Sequence, residues 1–157
     1  TLIIPSGCQL AVASGWLTMP SHYLLGMWLF AAIWLAILWR GFLSADLKVQ
    51  EQSAKINWVL NLVLALVVSG AGMYLLISGE IADWLALKVL AVGAIFCAGV
   101  LLDLLFKPAV DLFMALAATP DDPELNTAYS RALSPVYIAV LAIYAFALIA
   151  AALGVFK

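Results

Sequence analysis

Residues 84–106 read WLALKVLAVGAIFCAGVLLDLLF, an unbroken apolar run with only two ionisable side chains, Lys88 near one end and Asp103 near the other. At 1.5 Å rise per residue, a helix of this length covers about 34 Å, enough to cross a hydrocarbon core of about 30 Å. Asp83 precedes the run as a candidate N-cap. Lys107-Pro108 follows it as a stop, because the residue before a proline is pushed out of the α region. The stretch predicts a transmembrane helix, and three others obey the same rule. One covers about 22–39 (HYLLGMWLFAAIWLAILW), entered through Pro20-Ser21 and left at Arg40-Gly41; the other two cover about 58–78 and about 135–156.

The composition agrees. Of 157 residues, 67% are hydrophobic and 10% charged, against about 25% charged in soluble domains. A body of this size still exposes roughly a third of its chain surface, so so much apolar surface excludes a soluble globule and requires lipid to cover it. The expected fold is all-α: an integral membrane four-helix bundle over residues 22–157, preceded by a segment at 1–21. That segment is apolar but interrupted by Pro5, Ser6, Gln9 and Gly15, and is expected to lie along the outer interface. It also holds PSGC, a lipobox-like string ending at Cys8. After the third span, AVDLFMALAATPDDPEL places Val110, Phe113 and Met114, or Leu112 and Leu116, at helical spacing. This predicts an interfacial helix ended by Pro120 and Pro123.

Lys and Arg flanking membrane spans are retained on the cytoplasmic side. Arg40, Lys48 and Lys55 lie between the first two spans, Lys107 and Arg131 lie between the last two, and the GEIAD turn between the second and third has none. Both termini are therefore expected on the non-cytoplasmic face, with Lys157 alone counting against it, and the expected location is a bacterial inner membrane. A net charge of -2 with seven Lys and Arg argues against a nucleic-acid partner. Cys8 and Cys97 show neither CxxC nor zinc spacing, and the single histidine, His22, excludes an HExxH site or paired axial histidines within one chain. No P-loop, GxGxxG or GxSxG string is present.

Ionisable groups inside spans are functional candidates unless they snorkel to the interface. Asp103 stands four residues before Lys107, an i,i+4 pair on one helix face. Lys88 lies about one turn into the third span, and the expected topology puts it at a depth similar to His22 at the start of the first. With Tyr23, Trp28 and Trp84, these two define a candidate cofactor site: aromatic faces for a planar ring, a lysine for its carboxylates, as in a haem or porphyrin. The competing reading is an interfacial aromatic belt, which Trp39 and Trp58 fit at the inner edge. A second candidate site, for copper, comprises Cys8, Met19, His22 and Met27, whose thiol, thioether and imidazole groups suit copper(I). Asn61, Ser69 and Cys97 are read as interhelical contacts, and Gly93/Cys97, Ala147/Ala151 and Ala150/Gly154 as small-residue pairs for close helix packing within the chain or against another subunit.

Three features resemble a group of four-helix membrane proteins that includes the HemJ-type protoporphyrinogen oxidases and the membrane domain of CopD-type copper-resistance proteins. They are the histidine opening a Trp-rich span (HYLLGMWLFAAIW), the WLALK start of the third span, and the Arg- and Pro-containing approach to the fourth (RALSPVYIAVLAIYAFALIA). The resemblance covers residues 22–157 and implies haem or porphyrin handling at His22 and Lys88. The chain departs from the family in having WRGF where a Pro-Arg string with a further histidine is usual. Two functions follow as expectations: cofactor handling at the outer face, or a non-catalytic accessory subunit of a larger membrane assembly or homo-oligomer. A complete catalytic set is missing from the sequence, which leans away from an enzyme.

Overall fold

The computed structural model describes residues 2–155, and within them the chain is all-α. Its helices are α1 (Ile3–Ala13), α2 (Ser21–Leu43), α3 (Leu47–Ser78), α4 (Asp83–Ala118) and α5 (Pro123–Val155). The last four are long and apolar enough to cross a membrane, which makes this an integral membrane protein. The expected end of the fourth span at Phe156, together with Lys157, lies outside the described residues.

Several boundaries have a local cause, although Asp83, expected as an N-cap, is instead the first residue of α4, which has no side-chain cap. Helix α1 closes in a Schellman motif: Gly15 takes φ +72, Gly15 N–H donates to the Val12 carbonyl at 3.0 Å, and Trp16 N–H to that of Ala11 at 2.9 Å. Asp46 caps α3 by accepting from the Lys48 N–H at 2.9 Å. Gly79, at φ +65, ends α3 and turns the chain toward α4. Asp122 caps α5 by accepting from the Glu124 and Leu125 N–H groups at 2.8 and 3.2 Å, with Pro123 at the first helical position, where its missing N–H costs nothing.

All four spanning helices outrun the expected spans, α2 by about one turn and the other three by more. At 36 residues α4 is about 54 Å long, and α3 and α5, at 32 and 33 residues, are about 48 and 50 Å. Pro108 does not break α4, as the sequence suggests it should. Residues 109–118, expected as a separate interfacial helix, continue the same helix. The proline removes one N–H and leaves the Leu104 carbonyl without its helical donor. Packing against α5 outweighs that loss: Ala109 is buried, and the Phe113 and Tyr129 rings meet at 6.1 Å between centroids. Pro135 is likewise internal to α5, whose start moves back to Pro123.

The chain divides into two compact units, residues 1–57 and 58–157. In the first, α1 packs on α2, and Trp34 of α2 is buried and donates from Nε1 to Asn57 Oδ1 of α3 at 3.0 Å. Gly41 of α2 meets Ser53 of α3 so closely that a Cβ there would stand 2.5 Å from the Ser53 Cβ. In the second unit α4 packs extensively against α5, and two glycines bring α3 and α4 close. A Cβ on Gly93 would lie 2.5 Å from Ser69 Oγ and 2.8 Å from Ser69 N, and one on Gly72 would lie 2.8 Å from Leu90 N. Glycine here is a packing requirement, since lipid is as apolar as a leucine and helices associate through close contact.

Replacing Gly93 by Ala forces α3 and α4 apart and is expected to cost about 1–3 kcal/mol, the range for overpacking. Gly99, with nothing within 4 Å of its Cβ position, should accept Ala with no loss or a gain of up to about 1 kcal/mol in helix propensity. Denaturation of both variants in detergent measures the contrast, and equal stability would contradict the packing assigned to Gly93.

Candidate functional site

The expected cofactor residues fall in both units. His22, Tyr23 and Trp28 lie in the first, on α2, and Trp84 and Lys88 lie in the second, on α4. Within the first unit, α2 begins at Ser21 and presents His22 and Tyr23 in its opening turn, both exposed, with ring centroids 4.4 Å apart and planes tilted by 38°. Trp28 is engaged by its neighbour helix: its Nε1 donates to Gln9 Oε1 of α1 at 2.9 Å. That bond gives the polar Gln9 a partner and ties α1 along α2. Trp28 is thus part of the attachment of the N-terminal helix.

Lys88 is also engaged. It is half-buried on α4, and its Nζ lies against α5 at Gly154, where a Cβ would stand 2.8 Å from the nitrogen. The missing side chain of Gly154 makes room for the Lys88 side chain against α5. Gly154, expected as a small-residue contact, therefore serves packing inside the chain. Trp84, half-buried in the first turn of α4, also has an interaction partner.

The soft donors named for copper all lie in the first unit. Cys8 is half-buried on α1, Met19 is in the connection to α2, and His22 and Met27 are on α2. Five residues at 100° each place His22 and Met27 about 140° apart around the helix axis, so they do not share a face. Burial pushes the Cys8 thiol above its ordinary value, so a metal there would have to displace a proton that is firmly held at neutral pH. Among the described residues, no three of His, Cys, Asp and Glu cluster to hold a metal ion.

Two arrangements in the second unit go beyond the sequence reading, which placed Met73 and Tyr74 only at the rim of the candidate pocket. An open apolar groove of about 400 Å³ runs between α3, α4 and α5, lined by Ser69, Leu90, Cys97, Leu101 and Phe146 among others. Ser69 Oγ and Cys97 Sγ meet in it at 3.8 Å, which realises the interhelical role expected of both. At the α3–α4 turn the Tyr74 hydroxyl donates to Glu80 Oε1 at 2.9 Å and pins the GEIAD loop to the helix that precedes it. No protein-family model, curated protein or solved structure matches the chain.

The raised thiol of Cys8 has a direct readout. Alkylation by a water-soluble reagent follows the thiolate, so its rate should rise through a pH above the value of about 8.5 for a free cysteine. An ordinary free-thiol profile would contradict the burial. In a separate test, Gln9→Ala removes the acceptor of Trp28 and is expected to cost about 1 kcal/mol and raise amide exchange in α1. Unchanged exchange would mean that the Trp28–Gln9 bond does not hold α1 in place.

Proposed function

We propose that this chain is a non-catalytic subunit of a membrane assembly, acting through the faces that its spans leave open to neighbouring helices. The observation that carries this reading is Tyr144. The topology proposed from the positive charges puts Arg131 at the cytoplasmic edge of the membrane, in a bacterial inner membrane, with both termini on the opposite face. Tyr144 is thirteen residues further along α5, about 20 Å deeper, which is near the midplane. Its ring is 65% exposed on the outward face. A phenol at that depth is too far from the headgroups for its hydroxyl to reach them, and acyl chains offer it no acceptor. A neighbouring transmembrane helix does.

The rest of the second unit supports the same reading. Only 11% of the most apolar window of α5 is buried by the chain itself, against 28% for α4. The glycines that allow close approach, Gly72 and Gly93, are used up inward, whereas Ala151 stands exposed. Trp28 and Lys88, named for a porphyrin pocket, already make contacts within the chain.

One observation favours a second reading, in which the chain handles a haem, a porphyrin or, less readily, a copper ion at the outer face. The His22 imidazole is exposed beside Tyr23 at the start of α2. It has the chemistry of an axial haem ligand, and nothing further about a cofactor is built on it. A visible absorption spectrum with metal analysis tests this: a Soret band that disappears in His22→Ala would favour the cofactor reading.

Under the assembly reading, Ala151→Trp places a large ring on the outward face of α5 and is expected to strip co-purifying protein from the chain in mild detergent, while His22→Ala leaves the assembly intact. Size-exclusion chromatography of the two variants is the measurement. An unchanged elution volume for Ala151→Trp, or dissociation in His22→Ala, would overturn the proposal.

A further inference from the structure

We propose that α1 lies immersed in the hydrocarbon of the leaflet in which α2 begins, so that its surface fits the membrane interior and not the boundary of headgroups and water. This is deeper than its interruptions by Pro5, Ser6, Gln9 and Gly15 suggest. The first support is the depth of its attachment, which lies wholly within residues 1–57. Arg40, exposed in the last turn of α2, holds that end of the helix at one edge of the membrane, because a guanidinium is costly inside hydrocarbon. Trp28 is twelve residues from Arg40, about 18 Å along the axis, which leaves about 12 Å to the other edge of a core about 30 Å thick. At that depth its indole N–H donates to Gln9 Oε1 at 2.9 Å. Packed helices stand about 8–10 Å apart, so most of the reach of the two side chains is taken up in crossing that gap, and α1 comes down to meet Trp28.

The second support is charge. No Asp, Glu, Lys or Arg precedes Arg40 in the sequence. A helix that rests on a membrane surface presents a strongly charged or polar face to the headgroups, usually rich in Lys and Arg. Helix α1 has no such face, and Leu2, Ile3 and Leu10 are exposed on it instead. The third support is where its polar groups find partners. The Ser6 hydroxyl donates back to the Leu2 carbonyl at 2.8 Å, the Gln9 carbonyl is taken by Trp28, and Pro5 brings no N–H to the first turn. The Schellman bonds at Gly15 and Trp16 take up carbonyls of the last turn. Water would serve these groups at the surface, whereas in hydrocarbon the chain has to supply the partners itself.

The test uses the full chain in lipid bilayers, with Cys8→Ser and Cys97→Ser as background and a nitroxide on one introduced cysteine. The positions are Leu10 and Ala13 of α1, Leu25 and Leu29 of α2, and Thr18 in the connection, all of them exposed. The ratio of a label's relaxation by oxygen to its relaxation by a water-soluble nickel chelate rises with depth and cancels the part of the label that protein covers. Leu10→Cys is expected to give a ratio in the range set by Leu25→Cys and Leu29→Cys, severalfold above that of Thr18→Cys. Ala13→Cys, at the smaller side chain, is expected to exceed Thr18→Cys as well. Ratios at Leu10 and Ala13 no higher than at Thr18 would overturn the proposal and return α1 to the membrane surface.

Discussion

Among the described residues, glycine removes a side chain where α3 and α4 approach closely, and the packing of that pair depends on it. At Gly93 and Gly72 the backbones of α3 and α4 come near enough that a single added carbon would collide with the other helix. In water such contacts would be secondary to the burial of apolar surface. In a bilayer that driving force between helices is absent, because a leucine loses nothing by facing an acyl chain, and dispersion at short range and interhelical hydrogen bonds carry the association. The glycine contacts thus decide which faces of α3 and α4 turn inward. They also decide, by exclusion, which faces are presented outward.

Polar side chains supply the specificity that glycines alone lack. In the first unit, Trp34 pairs with Asn57 and Trp28 with Gln9, so each indole N–H meets a side-chain amide oxygen on a neighbouring helix. In the second, Ser69 meets Cys97, and the Lys88 amine rests against Gly154. Each of these groups would be costly if left alone among hydrocarbon. The two indoles and the Ser69–Cys97 pair find their counterparts on a neighbouring helix, which fixes register and rotation together. Tyr144 is the deep phenol that lies on the outward side of this scheme, and the proposed assembly extends the same rule across the chain boundary.

The spans were legible in the sequence because a run of some twenty apolar residues has few other uses, whereas the cap expected at Asp83 is not formed, since α4 begins at Asp83 itself, and the cap at Asp122 was masked by the prolines around it. Helix length beyond the spans was not legible. Pro108 and Pro135 are local stop signals, and packing against the partner helix overrode both. At the candidate site the residue types were visible but their engagements were not. Gln9 as the acceptor of Trp28, and Gly154 as the rest for Lys88, depend on which helix face meets which. The inward face of α5 was hidden for the same reason: nearly every position from Val136 to Val155 is apolar, so hydropathy carries no phase.

The central claim is that the α5 face centred on Tyr144 meets protein in the membrane and not lipid. Oxygen dissolves in the hydrocarbon and relaxes a spin label in proportion to its exposure to lipid, so labels placed singly from residue 141 to residue 152 in native-like bilayers test the claim directly. If protein covers the face, oxygen accessibility falls to minima at 141, 144, 148 and 151, and rises at Ile149. If these four positions give the maxima instead, the face is lipid-exposed and the account is contradicted.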